Sequence, residues 1–541
     1  MTLPRSVADV LSRHVTFEIE SIDRMYLNVY QPRLQYPAGA AGFFVGHRGF
    51  VYASSALMAQ MTEAWLGELH QFMDTGDIPF LHFAKAKDQR KDEVMQEFLA
   101  GHDGSEGVLF VGRAQEKARV ISSVRRRNPI TKASYAWLVH TNVLVNHYYL
   151  YCFDDDFGPF FIKFCSYFPF TAKLCINGNE WAKRQAAKAG IGFTALDNGF
   201  AAVDDPAAVQ AICDPLSAEH IDALLRKWLA KLPHPFTAAD RAADYRYAIS
   251  IRQAEFSLTQ MLHTPVCGRI FFEQVIRDNL DLGRPDQVSL IFDRRIITKG
   301  PRVTPSRFRT RVITTGVIPS RPVDDKHSKI KQYHKEGRAL RTETTINDTR
   351  DFGINKGLNN LPALREVGFS ANRRLLGVQR ISHDPITGAD AFTATTNPID
   401  VGGQHAAGLR FGDPRAQALL ATLLVFRLHP NGFTNRDLRT HLTGLLGADP
   451  DTWPTGRGTY DLRRLRLHGL IERIPHTQRY QVTDTGLHQA MLLTRVHDKV
   501  LRPATAQITD PDPPARSPLQ AAARAYDTAL DHIIRKAGLA A

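Results

Sequence analysis

The sequence predicts a multidomain protein of mixed α/β and α+β class, and three observations lead there. Its 541 residues imply about three to four domains at roughly 100–200 residues each. A composition of 43% hydrophobic and 23% charged residues is that of a folding globular chain, not of a disordered or collagenous one. Strand-like and helix-like runs alternate near the N-terminus, basic strand-like runs fill the middle, and helical spacing dominates towards the end. No self-similar period of roughly 20–50 residues occurs, which excludes a solenoid.

Residues 1–120 read as an α/β unit. A β-rich run (VTFEIESIDRMYLNVYQP) precedes a helix over about 54–74, capped by Ser54 or Ser55 and ended before Gly76. IPFLHFAK follows as a buried strand, KDEVMQEFLAG as a short helix and GVLFVGRAQ as a further strand. Residues 121–285 read as a hairpin plus a helical region. VNHYYLYCFD (145–154) and PFFIKFCSYF (159–168) are its aromatic strands around an acidic tip. Helices are expected over 179–190, from Ser217 to Ala230 and from Phe236 to Leu262. Residues 286–410 read as a basic β-rich domain with strands at 288–298, 307–318 and in IKQYHKE and ALRTETTIN, followed by a mixed stretch. A helical module spans 411–505, and 506–541 hold a Pro-rich linker (508–518) and a last helix of about 20 residues, read as a tether that docks or forms a homodimer.

Several classes are disfavoured. No run approaches the ~18 apolar residues of a membrane span, and MTLPRSVADVLSRH has no apolar signal core. Five cysteines without a C-x-x-C pair read as reduced thiols filling the core, and with them a cytoplasmic location is expected. The sequence lacks G-x-x-x-x-G-K-[ST], a Rossmann fingerprint and H-E-x-x-H, so no nucleotide cofactor is expected.

The net charge of +13 points to a polyanionic partner, and its distribution sharpens the point. Between 301 and 341, eleven basic residues, among them Arg309, Lys326, Lys329, Lys331, Lys335 and Arg341, face only Asp324, Asp325 and Glu336. Between 457 and 479, six arginines face Asp461 and Glu472.

The second excess lies within a recognisable pattern. RAQALLATLLVFRL forms an apolar helix, Thr434 caps NRDLRTHLTGLLG, and GTYDLRRLRLHG precedes LIERI and RYQVT, which pair around PHTQ before a last helix. Over about 85 residues this resembles the winged helix-turn-helix of bacterial regulators. The resemblance implies a Gly458–His468 helix in a major groove, with Arg457, Tyr460, Arg463 and Arg464 near base edges or phosphates and His476 and Arg479 on the wing.

In IKQYHKEGRALRTETTIN the turn at Glu336-Gly337 leaves two registers open. A two-residue loop puts His334, Gln332, Arg341 and Glu343 on one face. A three-residue loop sets Tyr333 against Arg341 and Lys331 against Glu343. Either face joins a nucleophile or base (Tyr333, His334), an anion-binding Arg341 and the Glu343 carboxylate, the groups that phosphodiester chemistry needs. Y-x-K followed by L-R-x-E resembles the strand pair of filamentous-phage-type rolling-circle replication initiators, which implies Tyr333 as the attacking group.

Asp154 and Asp156, with Asp155 between them and Lys163 on the next strand, are candidate ligands for a hard divalent cation, Mg²⁺ or Mn²⁺. His47, Arg48, Lys91 and Asp92 sit near strand ends, where α/β domains hold ligands. The expected function is nucleic-acid processing, on DNA before RNA, by a metal-dependent nuclease or nickase of a mobile or defence element. A non-enzymatic winged-helix regulator or architectural protein is the alternative. An RNA-binding protein stacking bases on the 147–168 aromatics is the third.

Overall fold

The structure is a computed structural model that describes residues 7–83, 91–264, 266–268, 270–271, 287–292, 308–313, 328–335, 339–380, 385–427, 429, 432–449, 453–475, 477–502, 521–522, 525–526, 528–529 and 532. These divide into two compact units, one of residues 16–263 and 326–372 and one of 1–15, 264–325 and 373–541. The chain is mixed α/β with one large mixed sheet.

The first unit is built on that sheet. Its strands are β1 (Val15–Tyr30), β2 (Phe80–Phe83), β3 (Gly107–Arg127), β4 (Ser134–Asp154), β5 (Gly158–Cys165) and β6 (Ala172–Asn177). After a side hairpin, β7 (Phe193–Leu196) and β8 (Gly199–Val203), comes β9 (Ala248–Leu262). β10 (Gln287–Phe292) and β11 (Phe308–Ile313) pair with each other in the second unit, and β12 (Lys329–Lys335) and β13 (Ala339–Ile346) return to the sheet. The order is β12-β13-β9-β1-β6-β5-β4-β3-β2. Pairing is antiparallel from β12 to β9 and from β1 to β3, and parallel between β2 and β3. The sheet therefore runs across the boundaries expected at 120 and 285.

Two sequence expectations change here. Residues 248–262 form a strand, whereas apolar spacing suggested a helix to Leu262. The reason is tertiary: Ala254 and Phe256 enter the core while Glu255 and Ser257 alternate with them, a period of two that only a sheet slot uses. Leu361–Arg380, in the stretch read as mixed, is a 20-residue helix whose Leu361, Leu364 and Phe369 pack on the same core. Elsewhere the helices Ser55–Thr75, Lys91–Ala100, Gly178–Lys188 and Ala218–Lys231 appear near their expected bounds, whereas β3 runs on to Arg127, β4 starts at Ser134 rather than 145, and β2, expected buried, is half-buried to exposed. The tip of the β4–β5 hairpin lies near its expected place. Gly158 closes that hairpin opposite Asp154 with φ of +65°, a conformation glycine adopts without steric cost.

The sheet has an apolar and a polar face. Ile162 and Phe164 of β5, Leu174 and Ile176 of β6 and Phe256 of β9 share a core with Met58, Trp65 and Leu69 of the Ser55–Thr75 helix and Leu224 and Trp228 of Ala218–Lys231. Alternate positions (Lys163, Lys173, Glu255, Ser257) necessarily lie on the opposite side. There the Lys91–Ala100 helix covers one end, where Val94 packs with Phe110, Tyr149 and Tyr151.

In the second unit, Pro385–Thr396 and the ribbon β14 (Ile399–Val401) and β15 (Gln404–Ala406) precede helices Pro414–Phe426, Asn435–Leu446 and Thr455–Leu467. The ribbon β16 (Ile471–Arg473) and β17 (Tyr480–Val482) and helix Asp484–Val496 follow. Phe433 adds a bridge to Tyr480. Thr434 and Asp437 form a capping box at the start of Asn435–Leu446, and Gly447 at φ +66° ends it. Residues 503–520, and with them the expected linker, lie outside the described residues. All five cysteines are buried and unpaired. No helix among the described residues is long and apolar enough to cross a membrane.

Candidate functional site on the polar face of the sheet

The β12–β13 register resolves the hairpin. Tyr333 lies opposite Arg341, Lys331 opposite Glu343 and Lys335 opposite Ala339, the three-residue loop. His334 lies opposite Leu340, in the alternate set of positions, so the grouping of His334 and Gln332 with Arg341 and Glu343 is not formed. The next pairing sets Arg341 against Thr259 and Glu343 against Ser257, and continues the row with Thr345 against Glu255.

This row holds a buried polar network. Arg341 is fully buried, and its Nη2 donates to Asp23 Oδ2 at 2.6 Å and Ser257 Oγ at 2.9 Å while Nη1 donates to the Asn198 carbonyl at 2.6 Å. Asn198 donates in turn to Asp23 and accepts from Asn179 Nδ2 at 3.0 Å and Asn177 Nδ2 at 3.1 Å. Ser21 donates to Asn179 at 2.8 Å. Burial opposes the charge on Arg341, but Asp23 and its neighbours raise its pKa above the ordinary value, so it remains a guanidinium. Expected as an anion binder, Arg341 directs both Nη atoms to protein partners, while its buried Nε has none among the described residues.

Beside it, Tyr333 donates to Glu343 Oε2 at 2.9 Å and Lys331 to Oε1 at 3.4 Å. Burial first, with Glu343 adding to it, pushes the Tyr333 phenol up. Glu255 is also raised, by burial and then by Glu343 and Asp23. Carboxylate oxygens of Asp23, Glu255 and Glu343 all lie within 4.8 Å of one another. Those of Asp23 already accept from Arg341 and Asn198, and those of Glu343 from Tyr333 and Lys331. Arg341 and Lys331 thus neutralise two of the three carboxylates, and Glu255, with its raised pKa, is the third.

The aspartates expected to bind metal have other employment. Asp154 Oδ2 accepts from Lys227 at 2.7 Å and Trp228 Nε1 at 2.8 Å, and Oδ1 accepts the Asp156 and Phe157 amides at 2.9 and 3.1 Å. Burial works against its charge, yet these bonds hold its pKa below the usual carboxylate value. Asp156 pairs with Lys188. The Asp-rich turn is therefore a hairpin tip tied to the Ala218–Lys231 and Gly178–Lys188 helices. The 147–168 aromatics are no open stacking platform, since Tyr148, Tyr149, Tyr151, Phe153 and Phe160 are all buried. Near the loop ends, His47 and Arg48 both pair with the buried Asp240, and Lys91 reaches Glu116 at 3.4 Å.

The arginines of the second unit divide into two kinds. Arg457 and Tyr460 are exposed, the Arg457 guanidinium lying 5.4 Å from the Trp453 ring centre. Arg463 is exposed too but donates to the His405 carbonyl at 3.1 Å, and Arg464 Nε donates to Ala407 O at 2.8 Å while its Nη2 donates to Gly408 O. Arg464, expected as a DNA contact, thus fastens its helix to the segment after β15. Arg479 donates to the Gly432 carbonyl at 2.9 Å. Inside the same helix, Asp461 is buried and pairs with Arg415 at 2.6 Å; burial raises its pKa against the pull of that arginine.

Arg309, Lys329, His334 and Lys335 have described backbone, but their side chains fall outside the described residues, as do Asp324, Asp325, Lys326 and His476 entirely. Sequence reasoning missed Asp23, Glu255, Ser257 and Asn198. Asp23 and Glu255 had one signal, a charge in an apolar β run, as in SIDRMYL and AEFSL; Ser257 and Asn198 had none.

No family model matches the chain, no curated protein matches it, and no solved structure matches its fold.

Proposed function

We propose that this chain binds nucleic acid, DNA before RNA, and processes its phosphodiester backbone at Tyr333 and Glu343. The observation that carries the reading is the Tyr333 hydroxyl 2.9 Å from Glu343 Oε2, with Lys331 on the same carboxylate. The tyrosine oxygen attacks phosphorus and its proton passes to Glu343. The bond from phosphorus to one bridging oxygen then breaks, and the departing oxygen takes a proton from Lys331. Because burial holds the phenol protonated, attack depends on Glu343 accepting that proton as the bond forms. Asp23 and Arg341 act as positioning residues behind this pair.

DNA contact falls to the second unit. Supporting a winged helix are its three helices followed by a two-stranded ribbon and a closing helix, the added Phe433–Tyr480 bridge, and the exposed Arg457 and Tyr460 on the third helix. Incubation of the full chain with labelled single- and double-stranded DNA and RNA, with and without Mg²⁺ or Mn²⁺, tests both parts. Binding with strand scission supports the processing reading. Binding without scission under every condition supports a non-enzymatic regulator, which the raised Tyr333 phenol and the bonds of both Arg341 Nη atoms to protein groups favour. No binding at all removes both.

A further inference from the structure

On the polar face, β5 and β6 set two lysines directly opposite each other: Lys163 pairs in register with Lys173. Side chains so placed have Cβ atoms about 4.5–5.5 Å apart, and like charges there repel. Lys163 is buried and satisfied, bonded to Glu116 and to the Tyr149 hydroxyl at 3.0 Å. Glu116 shares its other oxygen with Lys91 and Tyr149. That carboxylate is thereby spent. Lys173 has no hydrogen bond or ion pair among the described residues, and the repulsion of Arg252 and Lys163 acts on it more strongly than the attraction of Glu116. One strand further, His147 is 7% exposed and its Nδ1 has no partner, within the fields of both lysines. Lys91, Lys163 and Lys173 thus gather around one carboxylate, Arg252 acts on Lys173 from β9, and an unsatisfied buried nitrogen lies beside them.

We infer that the Lys163–Lys173 pair is a phosphate-binding subsite: Lys173 Nζ donates to the anion, and His147 and Arg252 flank it. An anion here relieves the lysine repulsion, and it supplies the acceptor oxygens that Lys173 lacks. Burial, ahead of the two cations, lowers the Lys173 pKa to about 8, which leaves it charged at neutral pH yet weakly held in that state. The subsite shares its face with Glu255, whose carboxylate acts on Cys175, two residues along β6 from Lys173. Three strand steps, from β6 through β1 and β9 to β13, put Glu343 at least about 14 Å from Lys173 at ~4.8 Å per strand. A strand of nucleic acid crossing the sheet spans that distance over a few nucleotides. This last step rests on the proposed function, whereas the anion site stands without it.

The test is protection of Lys173 from acetylation in the full wild-type chain, read by peptide mass spectrometry with pyrophosphate or a single-stranded DNA oligonucleotide as protector. Saturable protection by pyrophosphate is expected. Lys173→Gln should weaken pyrophosphate binding by roughly ten-fold, the loss of one charged hydrogen bond, and Lys173→Arg should retain it. With no ligand present, Lys173→Gln should melt at or above the wild-type temperature, because a repulsion is removed. Protection by the oligonucleotide as well identifies backbone phosphate as the source. Protection by pyrophosphate alone keeps the site and assigns it to a free phosphorylated compound, against the nucleic-acid reading. Acetylation unaffected by pyrophosphate, or equal pyrophosphate binding by Lys173→Gln, overturns the proposal.

Discussion

Arg341 and Asp23, 318 residues apart in sequence, meet at 2.6 Å in the interior of the sheet, the arginine wholly enclosed and the carboxylate nearly so. The pair joins a strand near the N-terminus to the late β13 strand, and it fixes the row on which Tyr333 and Glu343 stand. Taking one charge from such a pair leaves the other buried without compensation. Asp23→Ala should therefore cost about 3–5 kcal/mol of stability. Urea unfolding measures it, and a loss below about 1 kcal/mol, the range of exposed pairs, would refute the burial described.

Two arginines of the Thr455–Leu467 helix, Arg464 and Arg457, should separate by readout. Arg464→Ala removes bonds to the Ala407 and Gly408 carbonyls and should lower the melting temperature with little direct effect on DNA. Arg457→Ala touches none of those bonds. It should leave melting unchanged and reduce the salt dependence of DNA affinity by about one unit of slope, one lost phosphate contact. Both variants need only thermal melting and a binding titration at several salt concentrations.

Acid should act through Glu116 and His147. Burial opposes the Glu116 charge, but bonds from Lys163 and Tyr149 take its pKa from 4.5 to about 2. The unfolded chain therefore binds this proton first, and the stability Glu116 contributes is full above pH 4.5 and lost as pH falls towards 2. Burial, then Lys163, depresses His147 from 6.5 to about 4, so stability also falls as pH drops from 6.5 towards 4. His147→Phe should flatten the upper part of this decline and Glu116→Gln the lower part, in denaturant midpoints measured from pH 7 to 3.

How much of this the sequence discloses depends on how local each feature is. The Thr434 cap, the β4–β5 hairpin and the helices at 55–75 and 218–231 rest on neighbours a few residues away, and their signals are visible in the chain. β9 is not local: AISIRQAEFSLTQML suits a helix until β13 supplies its partner. The same holds for the site. Tyr333, Arg341 and Glu343 share a hairpin and were legible together, whereas Asp23, Asn198 and Glu255 come from distant segments that only the sheet assembles. Lys163 stood out as a charge in PFFIKFC, but that it faces Lys173 is a matter of register.

Chemistry at the Tyr333–Glu343 pair is read out by DNA turnover and adduct formation in wild type, Glu343→Gln and Tyr333→Phe. The wild-type chain should leave a phosphotyrosyl adduct on Tyr333. Glu343→Gln should bind DNA with affinity near wild type but lose turnover, by roughly 100-fold or more, because the amide cannot take the phenolic proton. Tyr333→Phe should bind and form no adduct. Cleavage by Glu343→Gln at the wild-type rate, or an adduct that persists in Tyr333→Phe, would exclude Tyr333 and Glu343 as the reacting pair.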